Sequence, residues 1–452
     1  MVLDFNNLTI EEQNKFDEIF HKNFNDIEKL LYEIIRKKSK RKFHFSNFTS
    51  RNPEENNLYY KLSILKLIEY YYKKKNLSKV ILNDHLILNF LKKRFSKISF
   101  VSTNKKVKIT SENILSFLKN IFFISKLFLL GNQNRMNNFL RKKNIILVDI
   151  FMIKSMFRNN EFKDRYYGNL FRKRTKQEIF FLPVFFNNSL NKKNLKFLGN
   201  KNQFILHSDF FKLKDYFEIF FSIIKFNFYS VNNIFFGKYD VSEIINNEIK
   251  KTRFSHAILI SILNFQLFKN LKNKNANINS GINWFENQVV DKSFNFCFKK
   301  FFPNALLKGY LGINADLRVN KFLVPSKLEK KFNLIPSRMF IINNYNKKFF
   351  NKIYPKKNIK IAPAYRNQHI YKYLNSKPKN SKKFTVLVIF TASHEDSIQM
   401  INIINNLPIK LLKKISFTLR FHNFSKVQNL KTLINESVNY RINIYQPIYK
   451  LL

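Results

Sequence analysis

Glycine and cysteine are nearly missing from this chain: 452 residues hold seven of the first and one of the second. A single thiol closes no internal disulfide and builds no zinc ribbon or iron–sulfur site, and it suits a reducing compartment. That thiol, Cys297, sits in the apolar run FNFCFKKFF with no histidine near it, which marks a small buried hydrophobe rather than a nucleophile. With so little glycine, neither GxxxxGKS/T nor GxGxxG occurs, so no phosphate loop of either kind is present. Acidic residues are scarce as well. The 30 Asp and Glu stand against 81 Lys and Arg, a formal charge of +51.

Such a charge ordinarily points to nucleic acid or an anionic membrane surface. Here Lys, Asn, Phe, Ile and Tyr are all abundant, and their codons are built almost wholly from A and T. The bases are also spread along the chain rather than gathered on one arm. That argues for an AT-rich genome and a general attraction to anionic surfaces, and against a specific nucleic-acid ligand. Long hydrophobic runs are lacking too. The most apolar stretches are 114–130, which contains Lys119 and Lys126, 217–228, which contains Lys225, and 257–268, which is too short to span a bilayer. The start, MVLDFNNLTIEEQNKF, is acidic and polar, unlike a signal or transit peptide. The expected location is therefore cytoplasmic, with any membrane contact peripheral and on the inner face.

What is present is ample for folding: 45% of residues are apolar and 16% aromatic, and the length calls for two domains of ordinary size. Residues 9–38 carry apolar positions at three- and four-residue spacing behind a Thr9-x-x-Glu12 capping box, which predicts a helix or helix pair. Further helices are expected over 57–75 and 82–95, then a short strand in SKISFVS. The helix beginning near Ser111 is either a core helix or one lying in the headgroup region of an anionic bilayer.

From Asn144 the texture changes to IILVDIF, EIFFLPVFF and NQFILHS, separated by polar stretches, with helices expected over 211–229 and 242–268. Strands alternating with helices argue for an open parallel sheet. Residues 281–366 continue it with INWF, ALLKGYLG, RMFIINN and NIKIAPAYR, each ending on a polar residue, a glycine or a proline-containing turn, the edge where open α/β sheets bind ligands. NSKPKNSKK, 375–383, looks like a linker. Beyond it a βαβαβ reading follows: strand 384–390, helix 394–406, strand 416–421, helix 426–436, strand 441–445. The expected organisation is a helical N-terminal region over 1–140, part of or packed on the first domain, then a Rossmann-like domain over 141–374, a linker, and a partial second Rossmann-like domain over 384–452.

The order ENQ, GYLG, VPSKLEKKFNLIP, FIINN, IAPAYR, linker, VLVIFTA and LRFHN resembles bacterial GT-B glycosyltransferases of lipopolysaccharide and capsule biosynthesis, over roughly 284–422. The resemblance implies an α/β fold of two doubly wound domains facing a cleft. It also implies transfer of a sugar from a nucleotide sugar to a lipid-linked or polysaccharide acceptor, with no cofactor and no metal, and pathway enzymes as further partners. Relative to that family the second domain is short, which predicts a C-terminal domain that is incomplete in this chain. Two rivals stand beside this reading: a basic RNA-binding or ribosome-associated protein, and a non-catalytic remnant of a glycosyltransferase.

Sugar transfer needs a base for the acceptor hydroxyl and positive charge or N–H groups for the leaving phosphates. Glu286, just after a predicted strand and followed by Asn287 and Gln288, is a candidate base or acceptor-binding group, or else the cap of the next helix. Gly309 and Gly312 allow close backbone approach to a ligand on the acceptor side, or simply make a turn. Arg366 resembles the family's arginine at the end of the first domain and contacts phosphate or acceptor, or anchors the linker. Thr391, Ser393 and His394 occupy a strand-to-helix turn that favours anions, or only caps the helix. Arg420 and His422 end the next strand, where the family commonly holds the donor phosphates, although Asn423 replaces the usual proline. The acidic pair Glu395-Asp396 opens a helix and is not a DxD-like metal motif.

Overall fold

The computed structural model describes residues 1–37, 47–52, 55–74, 77–102, 109–152, 156–158, 161–162, 164–168, 170–171, 178–185, 198, 203–315, 317, 320–368, 384–390, 394–421 and 430–442. The chain forms two compact units, Met1–Arg366 and Asn367–Leu452. Both are α/β, and the three larger sheets are parallel throughout. The expected linker, 375–383, lies outside the described residues.

The first unit begins with a body built on its own core. Strand β1 (Val2–Asp4) leads to helix α1 (Ile10–Lys37), which is one helix rather than a pair. Its start is the expected capping box: Glu12 N–H donates to Thr9 Oγ1 at 3.3 Å, and Thr9 N–H to Glu12 Oε2 at 2.8 Å. Helix α2 (Leu58–Lys74), β2 (Lys79–Ile81), α3 (His85–Arg94) and β3 (Ser99–Val101) follow. The three strands make a small parallel sheet in the order β1-β2-β3. So the region expected to be mainly helical also carries a sheet: β3 is the short strand expected in SKISFVS, while β1 and β2, three residues each, are too short to leave a period-two pattern.

Helices α4 (Ile109–Phe128) and α5 (Gln133–Leu140) precede the main sheet. Its strands are β4 (Ile145–Met152), β5 (Glu178–Phe185), β6 (Ile278–Trp284), β7 (Leu306–Leu311), β8 (Arg338–Ile341) and β9 (Ile359–Ile361), in the spatial order β9-β8-β7-β6-β4-β5. Phe204 adds a single parallel bridge to Phe181 on the free edge of β5. NQFILHS thus contributes one bridging residue instead of a full strand. Counting that bridge as a rudimentary third strand, the order is the doubly wound 3-2-1-4-5-6 with one more strand at the end.

The sequence dictates this burial. Every residue of β4 is buried, as expected for a near-continuous apolar run covered on both faces. Its residues alternate between two cores. Ile145 and Leu147 pack with Phe268 and Cys297, while Ile146 and Val148 pack with Leu127 and Leu263. Each large side chain so buried contributes roughly 1.5–3 kcal/mol.

Between β5 and β6 run helices α6 (Leu213–Asn227), α7 (Ser242–Lys251) and α8 (His256–Asn273). The one helix expected over 242–268 is therefore two. Phe254 takes φ 57°, a conformation no helix continues through, and Ser255 Oγ caps the second helix by accepting from Ile258 N–H. Residues 231–249 join the N-terminal core. There the ammonium of Lys61 on α2 is buried between Glu248 of α7 and Asp84 at the start of α3. Helices α9 (Val289–Phe301), α10 (Lys327–Lys331) and α11 (Asn344–Phe350) complete the unit.

The second unit holds β10 (Phe384–Ile389), α12 (His394–Asn405), the short α13 (Ile409–Leu412), β11 (Ile415–Arg420) and β12 (Tyr440–Ile442). Its strands lie parallel in chain order, as the βαβαβ reading requires. Phe390 and Phe421, each just past the end of its strand, stack with ring centroids 4.4 Å apart and planes 4° from parallel. Of the expected helix over 426–436, residues 426–429 lie outside the described residues and 430–431 are helical, but 432–436 form turns and irregular chain, so the helix does not reach its expected end. The end of the last expected strand, 443–445, also lies outside the described residues.

Candidate functional site

In the main sheet the order in which successive strands are added reverses between β4 and β6, which are parallel, hydrogen-bonded neighbours. Sheets of this kind bind ligands outside the carboxyl ends of the strands at that reversal. Two groups of side chains meet there, one on each face.

On one face, β6 ends in Trp284, which is fully buried. Its indole N–H donates to Glu286 Oε1 at 2.7 Å, and Gln288 Nε2 donates to Glu286 Oε2 at 2.9 Å. Both oxygens of the carboxylate are thus fixed, yet each keeps a lone pair. Glu286 does not cap the next helix. Asp291 does that, accepting from the backbone N–H of Glu286 at 2.8 Å and of Gln288 at 3.0 Å. The cap leaves Glu286, half-buried, beside the indole.

Around Trp284 stands a shell of tyrosines. Tyr166 packs edge-on at 4.6 Å between ring centroids, Tyr310 at 5.4 Å and Tyr167 at 5.9 Å. The Tyr310 hydroxyl donates to the carbonyl of Pro363 at 2.8 Å and accepts from Tyr365 N–H at 3.1 Å, which ties the chain after β9 to this shell. The guanidinium carbon of Arg366 lies 5.9 Å from the Tyr166 ring and 6.0 Å from the Trp284 ring, within cation–π range. Burial, followed by the negative charge of Glu286, pushes the Tyr166 hydroxyl up to about 12, with Arg366 opposing. The structure therefore brings together Glu286, Gln288 and Arg366 over one aromatic platform.

On the other face lies a pair of carboxyls that the sequence reading did not single out. Asp149, in the middle of β4, is buried and accepts from Asn283 Nδ2 at 2.6 Å. Burial, joined by the charge of Glu286, raises it to about 7 despite that hydrogen bond. Asp291 is also fully buried, and burial together with the charge of Asp149 holds its carboxyl well above the ordinary range. Asp149 Oδ1, Asn283 Oδ1 and Asp291 Oδ1 are buried with no hydrogen-bond partner. A third acid, Asp164, accepts from Tyr166 N–H at 2.7 Å and Tyr167 N–H at 3.1 Å, and burial raises it to about 6. It positions the two tyrosines of the platform. The available sequence signal was a charge inside an otherwise apolar strand, IILVDIF.

Other expected residues turn inward. Asn287 is buried at φ 58°, and its Nδ2 donates to the carbonyl of Phe322 at 2.8 Å and reaches Glu329 at 3.3 Å. It braces the loop that carries Glu286, and its left-handed backbone is one that Asn tolerates. The close approaches at Gly309 and Gly312 are to the chain itself. A Cβ would lie 2.5 Å from the Pro336 side chain at the first and 2.3 Å from the Trp284 ring at the second. Gly312 therefore makes room for the rings of the platform, and Gly309 for Pro336 and Met339 beside it.

In the second unit, Arg420 ends β11 and is half-buried, and His394 is the first residue of α12. Thr391, Ser393 and His422 lie outside the described residues.

Compared with protein-family models, with curated proteins and with solved structures, the chain matches none. Its class is therefore set by its own geometry: an α/β protein with parallel, doubly wound sheet topology, in which a carboxylate and an arginine each lie against Trp284 at the end of β6.

Proposed function

We propose that this chain is a GT-B-type, glycosyltransferase-like protein of surface-carbohydrate synthesis, acting from a nucleotide sugar on a lipid-linked or polysaccharide acceptor. The observation that carries the reading is the joint placement of Glu286 and Arg366 about Trp284 at the carboxyl edge of the switch point. Glu286 is oriented by two donors and still has lone pairs facing away from them, as a general base requires. The tyrosine and tryptophan rings offer flat apolar surface of the kind a sugar's C–H face covers.

In the proposed reaction, the acceptor hydroxyl gives its proton to Glu286 as its oxygen bonds to the anomeric carbon of the donor. The bond from that carbon to the phosphate oxygen breaks, and the nucleoside diphosphate leaves with the electron pair. Positive charge stabilises it, and the first unit offers Arg366 for this. The bidentate geometry of arginine suits a diphosphate better than lysine, which this chain has in abundance.

Calorimetric titration of the whole chain with uridine, guanosine, cytidine and thymidine sugar nucleotides tests the reading. Binding of one of them, weakened by Arg366→Ala, is the expected result. A folded chain that binds none of them, and transfers no sugar from them, overturns the proposal.

A further inference from the structure

Helices α4 and α6 turn apolar side chains outward as well as inward. On α4 the inward positions are Phe123 and Leu127, while Leu118 is 57% exposed and Phe122 62% exposed. On α6 the inward positions are Ile219 and Ile223, while Phe217 is 64% exposed and Phe221 65% exposed. A spacing of four residues puts each outward pair on one stripe. The two helices are neighbours. Phe128 at the end of α4 packs edge-on with Tyr216 near the start of α6 at 5.2 Å, and Phe117 meets Phe220 at 6.4 Å. Each helix thus carries exposed rings and aliphatic side chains on its outer side, and clustered exposed apolar residues of this kind mark an interaction surface.

Basic side chains frame this patch. Lys119 and Lys126 belong to α4, and Lys214 and Lys225 to α6. The ammonium of Lys126 sits 4.2 Å above the ring of Phe122, and the guanidinium of Arg253 5.0 Å from the ring of Phe228. The exposed acid on α6, Glu218, is paired with Lys269 at 3.1 Å. Among the described residues no single helix is long and apolar enough to cross a membrane. A partner surface made of protein would be expected to exclude lysine from its contact area. Lysine interleaved with Phe, Leu and Ile on a helix face is instead the pattern of an element lying in a headgroup layer, with aliphatic stems buried and ammonium groups at the phosphates.

We infer that the paired outer faces of α4 and α6 dock on an anionic phospholipid bilayer, with the rings inserted and the lysines at the phosphates. This surface is independent of the sugar-transfer reading and stands or falls separately.

The test is sedimentation of the full chain with vesicles of phosphatidylcholine and phosphatidylglycerol in equal parts, and with vesicles of phosphatidylcholine alone. The wild type should pellet with the first and lose at least about tenfold in partitioning on the second, since each basic residue near an anionic surface contributes on the order of 1 kcal/mol. A variant carrying Leu118→Glu, Phe122→Glu, Phe217→Glu and Phe221→Glu should lose at least about tenfold on the anionic vesicles. As a second measurement that does not rest on that variant folding, Phe122→Trp should be quenched by brominated phosphatidylglycerol, whereas Phe235→Trp, an exposed position on the N-terminal body, should not be. Equal pelleting with both vesicle types, no pelleting at all, or no quenching at position 122 overturns the inference. So does self-association in solution that the fourfold variant abolishes while lipid binding is absent, since the patch would then be a protein interface.

Discussion

The indole N–H of Trp284 holds Glu286 Oε1 at 2.7 Å, and the same indole ring lies 6.0 Å from the guanidinium carbon of Arg366. One aromatic side chain thus orients the candidate base and carries the candidate phosphate contact. Trp284 is also the chain's only tryptophan. Replacing Trp284 by Phe keeps an aromatic ring and removes the donor. The carboxylate then pivots on Gln288 alone, and on the proposed reading kcat should fall by up to about a hundredfold with a much smaller change in donor affinity. Glu286→Gln should abolish transfer while leaving donor binding intact. Steady-state kinetics alongside calorimetry separate the two effects. A Trp284→Phe enzyme with unchanged kcat would show that the indole does not orient the base.

Asp149 gives the site a pH signature. Its carboxyl is raised from an ordinary 3.8 to about 7, so over that interval the folded chain binds a proton that the unfolded chain has released. The contribution to stability is complete below about pH 4 and is lost as the pH rises toward 7. Asp149→Asn, which can still accept from Asn283, should therefore remove that slope and stabilise the protein at pH 8 more than at pH 5. Urea unfolding at the two pH values measures it. An identical slope in wild type and variant would mean that Asp149 ionises normally.

How much of this was legible beforehand depended on locality. The capping box of α1, the buried run of β4 and the strand carrying INWF announce themselves within ten residues, because a helix or a strand is set by its own spacing. Glu286 and Arg366 stood out because each follows an apolar strand. Strand order is not local. That β4 lies beside β6 cannot be read from either, so Asp149 could not be placed beside Asn283, nor Tyr166 against Trp284. Asn287, Gly309 and Gly312 are opaque for the opposite reason. In a chain so poor in glycine each one draws notice, yet the contacts that explain them come from Glu329, Pro336 and Trp284.

Gly312 accordingly has a stability role that can be measured. A methyl group there would meet the Trp284 ring at 2.3 Å and the Tyr310 ring at 2.6 Å, inside van der Waals contact with two buried aromatics. Gly312→Ala should cost about 1–3 kcal/mol by overpacking, and it should shift the emission of Trp284. An alanine variant with wild-type stability and an unchanged spectrum would show that the platform gives way freely.

The strongest structural prediction concerns Glu329, which joins the N-terminal body to the loop bearing Glu286. Its buried carboxylate accepts from Arg51 at 2.7 Å, from Lys292 at 2.8 Å and from Ser326 N–H at 2.8 Å, and Asn287 Nδ2 reaches it at 3.3 Å. Burial alone would raise its pKa, but the charges of Arg51 and Lys292 outweigh that and hold it at about 2, below an ordinary 4.5. A depressed carboxyl contributes stability that is complete above its unfolded value and is lost as the pH falls from about 4.5 toward 2. Glu329→Gln leaves the buried Lys292 short of a counter-charge and Arg51 with only Glu28, at 3.5 Å, and should cost about 3–5 kcal/mol at neutral pH. It should also flatten the acid limb of the stability profile. Because Gln has one acceptor oxygen where Glu329 has two to serve Arg51, Lys292, Ser326 and Asn287, the same variant should loosen the loop, which hydrogen exchange at 286–288 would report. A neutral-pH cost below 1 kcal/mol with unchanged exchange would assign the anchoring to the apolar contacts alone.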